Sequence, residues 1–409
     1  MRLSAWLSAR ARICVWCLVA LLVLTPQTRA QKVESSRIVA VGDIHGDFDA
    51  FVGILKHAGI VDVNGRWSGG RTTLVQTGDF TDRGPKVRAA MDLLMDLEAQ
   101  AKASGGRVVV LLGNHEVMNL VGDLRYVTPA IYQTFADAQS EKRREAAYDS
   151  YVKWCTAHAS QFQQPPQIYQ AVSKTDWMAA HPTGYLEYRA AFAPQGRYGR
   201  WLRNKQALAQ VNDIVFLHGG LNPDTTPPRL EDVNKQVAAE IRRFDEYHKR
   251  MVDRRMALPS FTLPEVLAAA QIEIEIAAQM SRAAGAQERS GFPVNDDPLN
   301  LKGLLGIDQW SLVHPDGPLW FRGYATWPDE AGAGQLSVLK DRYKVAHFVV
   351  GHTVQDTRRI TPRFSGAVFL IDTGMLSSYV PGGRASALEI DGGQFTAIYD
   401  DGRVALKVP

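Results

Sequence analysis

The feature that most constrains the fold is a series of short apolar runs, each ending at a polar residue beside a glycine. In chain order these runs and the residues after them are RIVAV with Gly42 to Gly46, TTLVQ with Thr77 to Asp79, RVVVLL with Gly113 to Glu116, DIVFL with His218 to Gly220, and AHFVV with Gly351 to Thr353. A sixth run, GAVFLIDTG, reaches Asp372 in the same way. Short runs rich in β-branched residues are typical of buried strands covered on both faces.

Helical stretches separate the first three of these runs. They span residues 49–58 and 86–102. Alternation of strand and helix predicts an α/β fold in which helices are layered on a sheet. The polar residues at the strand ends then collect along one edge, and ligands bind at that edge in open α/β sheets.

Two long segments interrupt the alternation, at residues of about 124–206 and 222–316. Helices are predicted in both, over EKRREAAYDSYVKW in the first and over VAAEIRRFDEYHKRMVDRR and LPEVLAAAQIEIEIAAQMSRAAG in the second. Both segments lie between strand-end motifs, so we expect helical insertions that cap the site; the alternative is decoration away from it. The tail from Ala385 alternates and turns like a terminal pair of hairpins.

The first thirty residues predict export. Arg2, Arg10 and Arg12 form a basic start, the apolar run ICVWCLVALLVL follows, and residues 28–30 offer a passable cleavage site. This pattern is typical of a secretory signal peptide over residues 1–30, which would leave a mature domain of residues 31–409 in a secreted or periplasmic protein. An uncleaved anchor is the alternative, although twelve apolar residues are few for a membrane span.

The charge of the mature chain argues against bulk nucleic-acid binding, and its cysteine content excludes an internal disulfide. The formal net charge is +3, and the first thirty residues hold four arginines and no acid. The mature chain is therefore close to neutral, which gives no basis for bulk nucleic-acid binding. Cys155 is the one cysteine after residue 30, so the mature chain cannot form an internal disulfide.

The strand-end residues offer the ligands of transition metals. Carboxylate, imidazole and amide oxygen together suit Mn, Fe or Zn. Each motif alone is weak evidence, because Asp-x-His after a strand is more often a turn capped by Asp. Five such motifs at one edge indicate a metal site, and six ligands suffice for two metal ions if Asp79 bridges. The predicted ligands are Asp43, His45, Asp79, Asn114, His218 and His352.

The ordered motifs GDIHG, GDFTDRG, GNHE and HGGL resemble those of the calcineurin-like metallophosphoesterases, and more narrowly those of the phosphoprotein phosphatase type. GRWLRNKQALAQVNDIVFLHGGL and GPLWFRGYA resemble the bacterial Shewanella-like branch. The resemblance spans residues 38–221 and 320–374 and leaves both insertions unmatched. It implies a two-sheet β-sandwich flanked by helices, a dinuclear metal centre and hydrolysis of phosphomonoesters. Departures at Phe80-Thr81 and at VVGHTVQ leave the substrate class open.

The resemblance also implies roles for single residues. His115 corresponds to the family's general acid, Asp82 to its hydrogen-bond partner and Arg83 to a phosphate-binding arginine. Arg322 matches the Shewanella-like branch alone and could equally be an exposed rim charge, and Arg125 lies outside any firm motif. For His115 the alternative is a structural histidine bonded to a backbone carbonyl.

The expected substrate is a phosphorylated protein or a small phosphomonoester. One alternative function uses the same metals in a phosphodiesterase or nucleotidase. The other is an inactive exported binding protein that keeps the metals for stability.

Overall fold

Two β-sheets form the centre of the molecule. The structure, a computed structural model, describes residues 37–287 and 300–408. Within these residues one sheet has six strands in the order β11-β10-β9-β1-β2-β3, and the other has five in the order β4-β5-β6-β8-β7. The strands are β1 (Arg37–Val41), β2 (Thr73–Gln76), β3 (Arg107–Val110), β4 (Leu208–Val211), β5 (Ile214–Leu217), β6 (His347–Val350), β7 (Thr361–Arg363), β8 (Val368–Leu370), β9 (Ser386–Asp391), β10 (Gln394–Tyr399) and β11 (Gly402–Leu406).

The sheets pack face to face because alternate residues of each strand point to opposite sides. Ile38 and Ala40 of β1 lie in one buried cluster with Phe216 of β5 and Val349 of β6, between the sheets. The intervening residues Val39 and Val41 pack on the other side, against helices. Both faces of the central strands are thus buried, which is why their sequences read as unbroken apolar runs.

Helices cover both outer faces of this sandwich. They are α1 (Phe48–His57), α2 (Val87–Ala103), α3 (Asn114–Val121), α4 (Pro129–Gln133), α5 (Ser140–Ala159), α6 (Lys174–Ala180), α7 (Tyr185–Phe192), α8 (Arg197–Leu202), α9 (Leu230–Asp253), α10 (Leu263–Gln287), α11 (Lys302–Leu305), α12 (Gly323–Thr326) and α13 (Asp329–Tyr343). Short 3-10 turns lie at Gln167–Tyr169 and Gly306–Gln309. The predicted α/β sandwich with flanking helices is confirmed.

Parallel pairing of neighbouring strands brings their carboxyl ends to one edge. β1 pairs in parallel with β2, and β2 with β3. In the second sheet β5 pairs in parallel with β6, and β6 with β8. The six polar strand ends singled out in the sequence belong to these six strands.

The two inserted segments are helical, as predicted, and they bond to each other. The Tyr185 hydroxyl donates to the Ser260 carbonyl at 2.8 Å, and Trp154 Nε1 donates to the Arg255 carbonyl at 2.8 Å. Helices α4 to α8 lie in the first segment, and α9 to α11 lie in the second. The predicted terminal hairpins are confirmed as the antiparallel strands β9, β10 and β11.

Export stays a prediction. The proposed signal peptide of residues 1–30 lies outside the described residues. Within residues 37–287 and 300–408, no helix combines the length and the apolar character that a bilayer crossing requires.

Candidate metal centre

The six predicted ligands meet in one cleft at the strand edge. Asp43 and His45 follow β1, Asp79 follows β2, Asn114 begins α3 directly after β3, His218 follows β5, and His352 follows β6. All six side chains belong to residues that are at most 8% exposed. Five of them line one cleft, and His218 is fully buried. The structure therefore brings together residues that lie up to 309 positions apart, as in the 3.0 Å hydrogen bond from the His352 backbone N–H to Asp43 Oδ1.

Asp79 lies between two groups of these side chains. On one side, His45 Nε2 is 3.6 Å from Asp79 Oδ2 and 3.8 Å from Asp43 Oδ2. On the other side, His218 Nε2 is 3.2 Å from the same Asp79 oxygen. His218 Nε2 is also 2.9 Å from Asn114 Oδ1 and 3.1 Å from His352 Nδ1. One Asp79 oxygen is thus shared by both groups, as a bridging ligand requires.

Each histidine of the two groups is held by a backbone carbonyl. His45 Nδ1 lies 3.0 Å from the Thr81 carbonyl, and His218 Nδ1 lies 3.1 Å from the Thr77 carbonyl. His352 uses its other nitrogen, Nε2, which is 3.1 Å from the Trp320 carbonyl. Because a carbonyl accepts only from N–H, the nitrogen that faces the centre carries a lone pair whenever the ring is neutral, as metal ligation requires.

Two observations show that these residues fit metal ions. His45 Nε2 is buried and has no hydrogen-bond partner among the described residues. Such an atom is costly to bury unless something else binds it. The mixture of imidazole, carboxylate and amide oxygen is also the ligand set of Mn, Fe or Zn. Among the described residues, two sets of histidine and acidic side chains lie close enough together to hold a metal ion. One set is Asp79 with His45 and His115, and the other is Asp79 with His218 and His352.

The carboxylates of the centre are crowded in a way that favours cations. Burial, together with Asp372 and Asp79, raises the pKa of Asp43 well above its usual value. Burial likewise raises the pKa of Asp372 to about 6. Burial also acts to raise the pKa of Asp79, but His218, His115 and His45 outweigh it and hold that pKa well below its usual value. Three buried carboxyl groups at one point require positive charge if all are to ionise.

His115 forms a dyad with Asp82 beside this centre. His115 Nδ1 lies 2.7 Å from Asp82 Oδ2, and both residues are at most 2% exposed. Burial lowers the pKa of His115, but the charges of Asp79 and Asp82 and the Asp82 hydrogen bond raise it above its usual value overall. Since the partner is a carboxylate, the alternative of a structural histidine bonded to a backbone carbonyl does not describe the side chain.

The two predicted substrate-binding arginines both line the cleft. The Arg83 guanidinium lies 4.3 Å from the ring centre of Tyr379, and Arg83 Nη2 is 3.2 Å from His115 Nε2. Arg322 Nη1 donates to the His352 carbonyl and to Thr353 Oγ1, both at 3.0 Å. Arg125 is not part of the cleft: its guanidinium forms a two-point pair with Asp123.

The backbone of the site is held in an unfavourable conformation. Positive φ angles occur at five of the site residues, none of which is glycine: His45, Asp79, Asp82, Arg83 and His352 have φ between 47° and 68°. Non-glycine residues adopt this region at a cost of about 1–3 kcal/mol each, and such residues cluster at functional sites. The conformation of these loops thus places their side chains in the site, although it is not the conformation of lowest backbone energy.

Asp372, Tyr379 and Tyr126 are among the cleft residues that were not predicted as site residues. Asp372 ends the sixth apolar run, and its exit from β8 into the same cleft was the available signal. Tyr379 and Tyr126 line the cleft through aromatic contacts with Arg83 and His115. Neither tyrosine lies in a strand-end motif, so the sequence offered no pattern that would select them.

Comparison with known proteins agrees with this geometry. The model of the calcineurin-like phosphoesterase family matches residues 36–249, which is more than half of the chain. Shewanella-like protein phosphatase 2 of Arabidopsis thaliana is 34% identical over 227 residues, covering 53% of this chain and 54% of the relative. The chain thus spans about half the length of that relative. Shewanella-like protein phosphatase 1 of Plasmodium berghei (strain Anka) is 24% identical over 344 residues, covering 83% of this chain and 67% of the relative.

Solved structures with the same fold are also found. A mutant of a cold-active protein tyrosine phosphatase is 25% identical with a TM-score of 0.52, and the match covers 91% of this chain and 80% of that one. The cold-active protein-tyrosine phosphatase of a psychrophile, Shewanella sp., gives the same TM-score and coverage at 24% identity.

Proposed function

This chain belongs to the calcineurin-like phosphoesterase family, and from that premise we propose that it is a metal-dependent phosphatase that hydrolyses phosphomonoesters at a dinuclear centre. One observation carries the proposal: Asp79 Oδ2 lies 3.6 Å from His45 Nε2 and 3.2 Å from His218 Nε2, beside the His115–Asp82 dyad. The family membership supports the class of hydrolase, and the Shewanella-like relatives support the predicted branch.

Asp43, His45, Asp79, Asn114, His218 and His352 would hold the two metal ions, and Asp79 would be shared between them. When bound, two metal ions neutralise phosphoryl charge and lower the pKa of a water that serves as nucleophile. Mn, Fe and Zn all suit these donors. Asp372 faces the same cleft and, through its charge, adds to the demand for cations there.

The proton for the leaving group comes from His115 in this proposal. Asp82 holds Nδ1, so Nε2 is the nitrogen that donates to the leaving oxygen in this proposal. Arg83 Nη2, which lies 3.2 Å from Nε2 and can only donate, must then turn away from it toward the phosphate. Burial lowers the pKa of His115, but the charges of Asp79 and Asp82 and the Asp82 hydrogen bond hold it above its usual value. In this proposal His115 therefore gives up its proton from Nε2 as the ester bond breaks.

The two arginines of the cleft support a monoester as the substrate. A phosphomonoester carries nearly two charges at neutral pH and three non-bridging oxygens. Arg83 and Arg322 reach the cleft from separate loops and offer planar forks for such oxygens. A diester has fewer anionic oxygens and a second substituent that would crowd this pair.

For the substrate we propose phosphotyrosine in a protein or peptide. Tyr126, Tyr379 and Trp320 line the cleft beside the arginines. Tyr126 and Tyr379 are 37% and 53% exposed, so an aromatic leaving group could stack on them. The fold shared with tyrosine phosphatases supports the same choice.

Two comparisons of substrates test these proposals. With purified protein in Mn²⁺, nitrophenyl phosphate should be hydrolysed with a higher kcat/KM than bis-nitrophenyl phosphate. Equal or faster cleavage of the diester would favour the phosphodiesterase alternative, and no hydrolysis of any phosphoester would favour the inactive binding protein. Peptides of one sequence carrying phosphotyrosine, phosphoserine or phosphothreonine should then give the highest kcat/KM for phosphotyrosine. A serine or threonine preference would overturn that choice alone.

We also propose that residues 1–30 are a cleaved secretory signal. The basic start and the apolar run of this segment support export. Protein recovered from the cell envelope should begin near Gln31 in N-terminal sequencing. A full-length N-terminus on a membrane-bound product would favour the anchor.

A further inference from the structure

The His115–Asp82 dyad continues into a chain of buried hydrogen bonds. Asp82 Oδ1 accepts from Asn119 Nδ2 at 2.8 Å. Asn119 Oδ1 in turn accepts from the Tyr188 hydroxyl at 2.5 Å. Asp82, Asn119 and Tyr188 are all 0% exposed. The chain thus runs from the predicted general acid, through three buried side chains, into the first inserted segment.

The direction of these bonds is fixed by chemistry. An ionised Asp82 can only accept, so Asn119 must turn its NH₂ group toward it and its oxygen toward Tyr188. Asn119 Nδ2 also donates to the His115 carbonyl at 2.9 Å, which a flipped amide could not do. Burial, with Asp82 nearby, raises the pKa of Tyr188 well above its usual value, so the hydroxyl keeps the proton that it donates.

Tyr188 is itself held rigidly. It lies on α7, whose buried face consists of Tyr185, Tyr188 and Phe192. Its ring centre is 4.9 Å from that of Phe135, 5.2 Å from that of Tyr132 and 4.5 Å from that of Phe192. Removing only the hydroxyl would leave this aromatic packing in place.

Asp82 needs such support because of where it lies. Its φ angle is 68°, in the left-handed region that disfavours residues with a side chain. A carboxylate on a strained loop could rotate and release His115 Nδ1 unless its second oxygen were also bonded. Asn119, fixed by Tyr188, supplies that second bond.

We propose that Asn119 and Tyr188 are positioning residues for the general acid: they fix Asp82, and through it the tautomer and orientation of His115. The inference rests on the proposed phosphatase function and deepens it. It gives the first inserted segment a part in proton transfer. Metal binding would not depend on this part, because among the described residues neither Asn119 nor Tyr188 forms a hydrogen bond with a side chain of a proposed metal ligand.

The test compares Tyr188→Phe with Tyr185→Phe. Both tyrosines are on α7, both are at most 2% exposed, and both hydroxyls donate one bond, but that of Tyr185 goes to the Ser260 carbonyl. Tyr188→Phe should lower kcat by about 10-fold for alkyl phosphates, a loss typical of removing a group that orients a functional side chain. KM, metal content and turnover of nitrophenyl phosphate, whose leaving group needs little protonation, should change less than about 2-fold. Tyr185→Phe should leave both substrates unaffected.

A double-mutant cycle sharpens the result. In a His115→Asn background, Tyr188→Phe should cause no further loss, because the side chain that it positions is gone. If Tyr188→Phe slows both substrates equally, or still acts in the His115→Asn background, its role is structural and the proposal is overturned.

A readout independent of turnover separates this inference from the proposed function. The His115 Nδ1 proton should give a downfield NMR resonance that is absent in His115→Asn. It should shift and exchange faster with water in Tyr188→Phe and stay unchanged in Tyr185→Phe. If the wild-type protein hydrolyses no phosphoester, the proposed function fails, yet this resonance still decides whether Tyr188 fixes the dyad. An unchanged resonance in Tyr188→Phe would overturn the positioning role.

Discussion

The strand ends and the first inserted segment reach the cleft by different means. The strand ends supply their side chains through short loops in strained conformations, with positive φ at His45, Asp79 and His352. The segment of residues 124–206 forms ordinary helices and reaches the dyad through the buried hydroxyl of Tyr188 and through the ring of Tyr126, whose centre lies 4.9 Å from that of His115. The proposed metal ligands thus depend on local backbone shape, whereas the orientation of the proposed general acid depends on contact between remote parts of the chain.

Glu116 stabilises the strand ends through contacts that do not involve the inserted segments. Its buried carboxylate accepts from the backbone N–H groups of Asp79, Phe80 and Thr81 at 2.7–3.0 Å. It also accepts from the Thr81 hydroxyl and from the Gly113 N–H, both at 2.8 Å. One side chain in the first turn of α3 therefore ties the loop after β2 to the end of β3. The inserted helices are not required for this contact.

The largest effect is expected at the shared ligand. Asp79→Asn should abolish turnover and reduce metal content below two ions per chain, because Asp79 Oδ2 faces His45 and His218 at once. A neutral amide cannot offset two cations as a carboxylate does. Elemental analysis of purified variant and wild type, prepared in the same Mn²⁺ buffer, is the measurement. Two ions per chain with full activity would show that Asp79 is not a bridge.

A smaller effect should separate proton transfer from metal binding. His115→Asn should retain both metals and lose about 10²–10⁴-fold in kcat for alkyl phosphates, the usual contribution of general acid catalysis. The loss should shrink for nitrophenyl phosphate, since that leaving group departs without protonation. Steady-state kinetics on both esters and elemental analysis decide the matter. Equal losses on both esters would count against His115 as the acid.

The same contrast explains what could be predicted from sequence. The strand ends carry local patterns, so the amino-acid sequence alone is enough to select Asp43, His45, Asp79, Asn114, His218 and His352. Parallel pairing then brings such residues to one edge. That the strands divide into two packed sheets was implied only by the resemblance, because buried strands read alike in either sheet.

The remaining contacts have no local pattern. Tyr188 lies 69 residues from Asn119, and its spacing with Tyr185 and Phe192 reads only as an apolar helix face. Tyr379 stacks on Arg83 from a distant loop. Asp372 did carry the strand-end pattern, but its carboxylate was not assigned because the six other ligands already satisfied two metals. Whether the insertions cap the cleft stays a prediction; Tyr126 is the cleft-lining residue that the described part of the first one supplies.

A still smaller effect is expected at Arg83, the proposed phosphate-binding arginine. Arg83→Ala should weaken inhibition by inorganic phosphate about 10-fold, the equivalent of one charge-assisted hydrogen bond, and leave metal content intact. Arg125→Ala is the matched control, because Arg125 lies outside the cleft and pairs with Asp123. The inhibition constant for phosphate is measured for both variants. If both behave alike, Arg83 is not a specific phosphate ligand.

The smallest effect tests whether weaker packing of the inserted helices lowers the stability of the protein without changing its kcat. Arg203, at the end of α8, donates two bonds of 2.7 Å to Asp245 on α9 and further bonds to the Phe192 and Gly199 carbonyls. Its side chain is 14% exposed and that of Asp245 is 19% exposed, so solvent screens the pair only partly. Lysine keeps the charge but cannot make the planar two-point contact or reach both carbonyls.

Arg203→Lys should therefore cost about 1–2 kcal/mol in the free energy of unfolding. In a protein of this size that corresponds to a lower melting temperature by roughly 2 °C. Arg203 does not bond to Tyr188, and it bonds to Phe192, a neighbour of Tyr188, through the backbone carbonyl and not the ring. We therefore expect kcat on alkyl and nitrophenyl phosphates to match wild type at temperatures well below melting. Differential scanning calorimetry and kinetics on the two esters measure the two properties separately. A selective loss on alkyl phosphates would mean that the packing of the whole insertion affects the dyad, and that the effect of the insertion on the dyad is not confined to the Tyr188 hydroxyl.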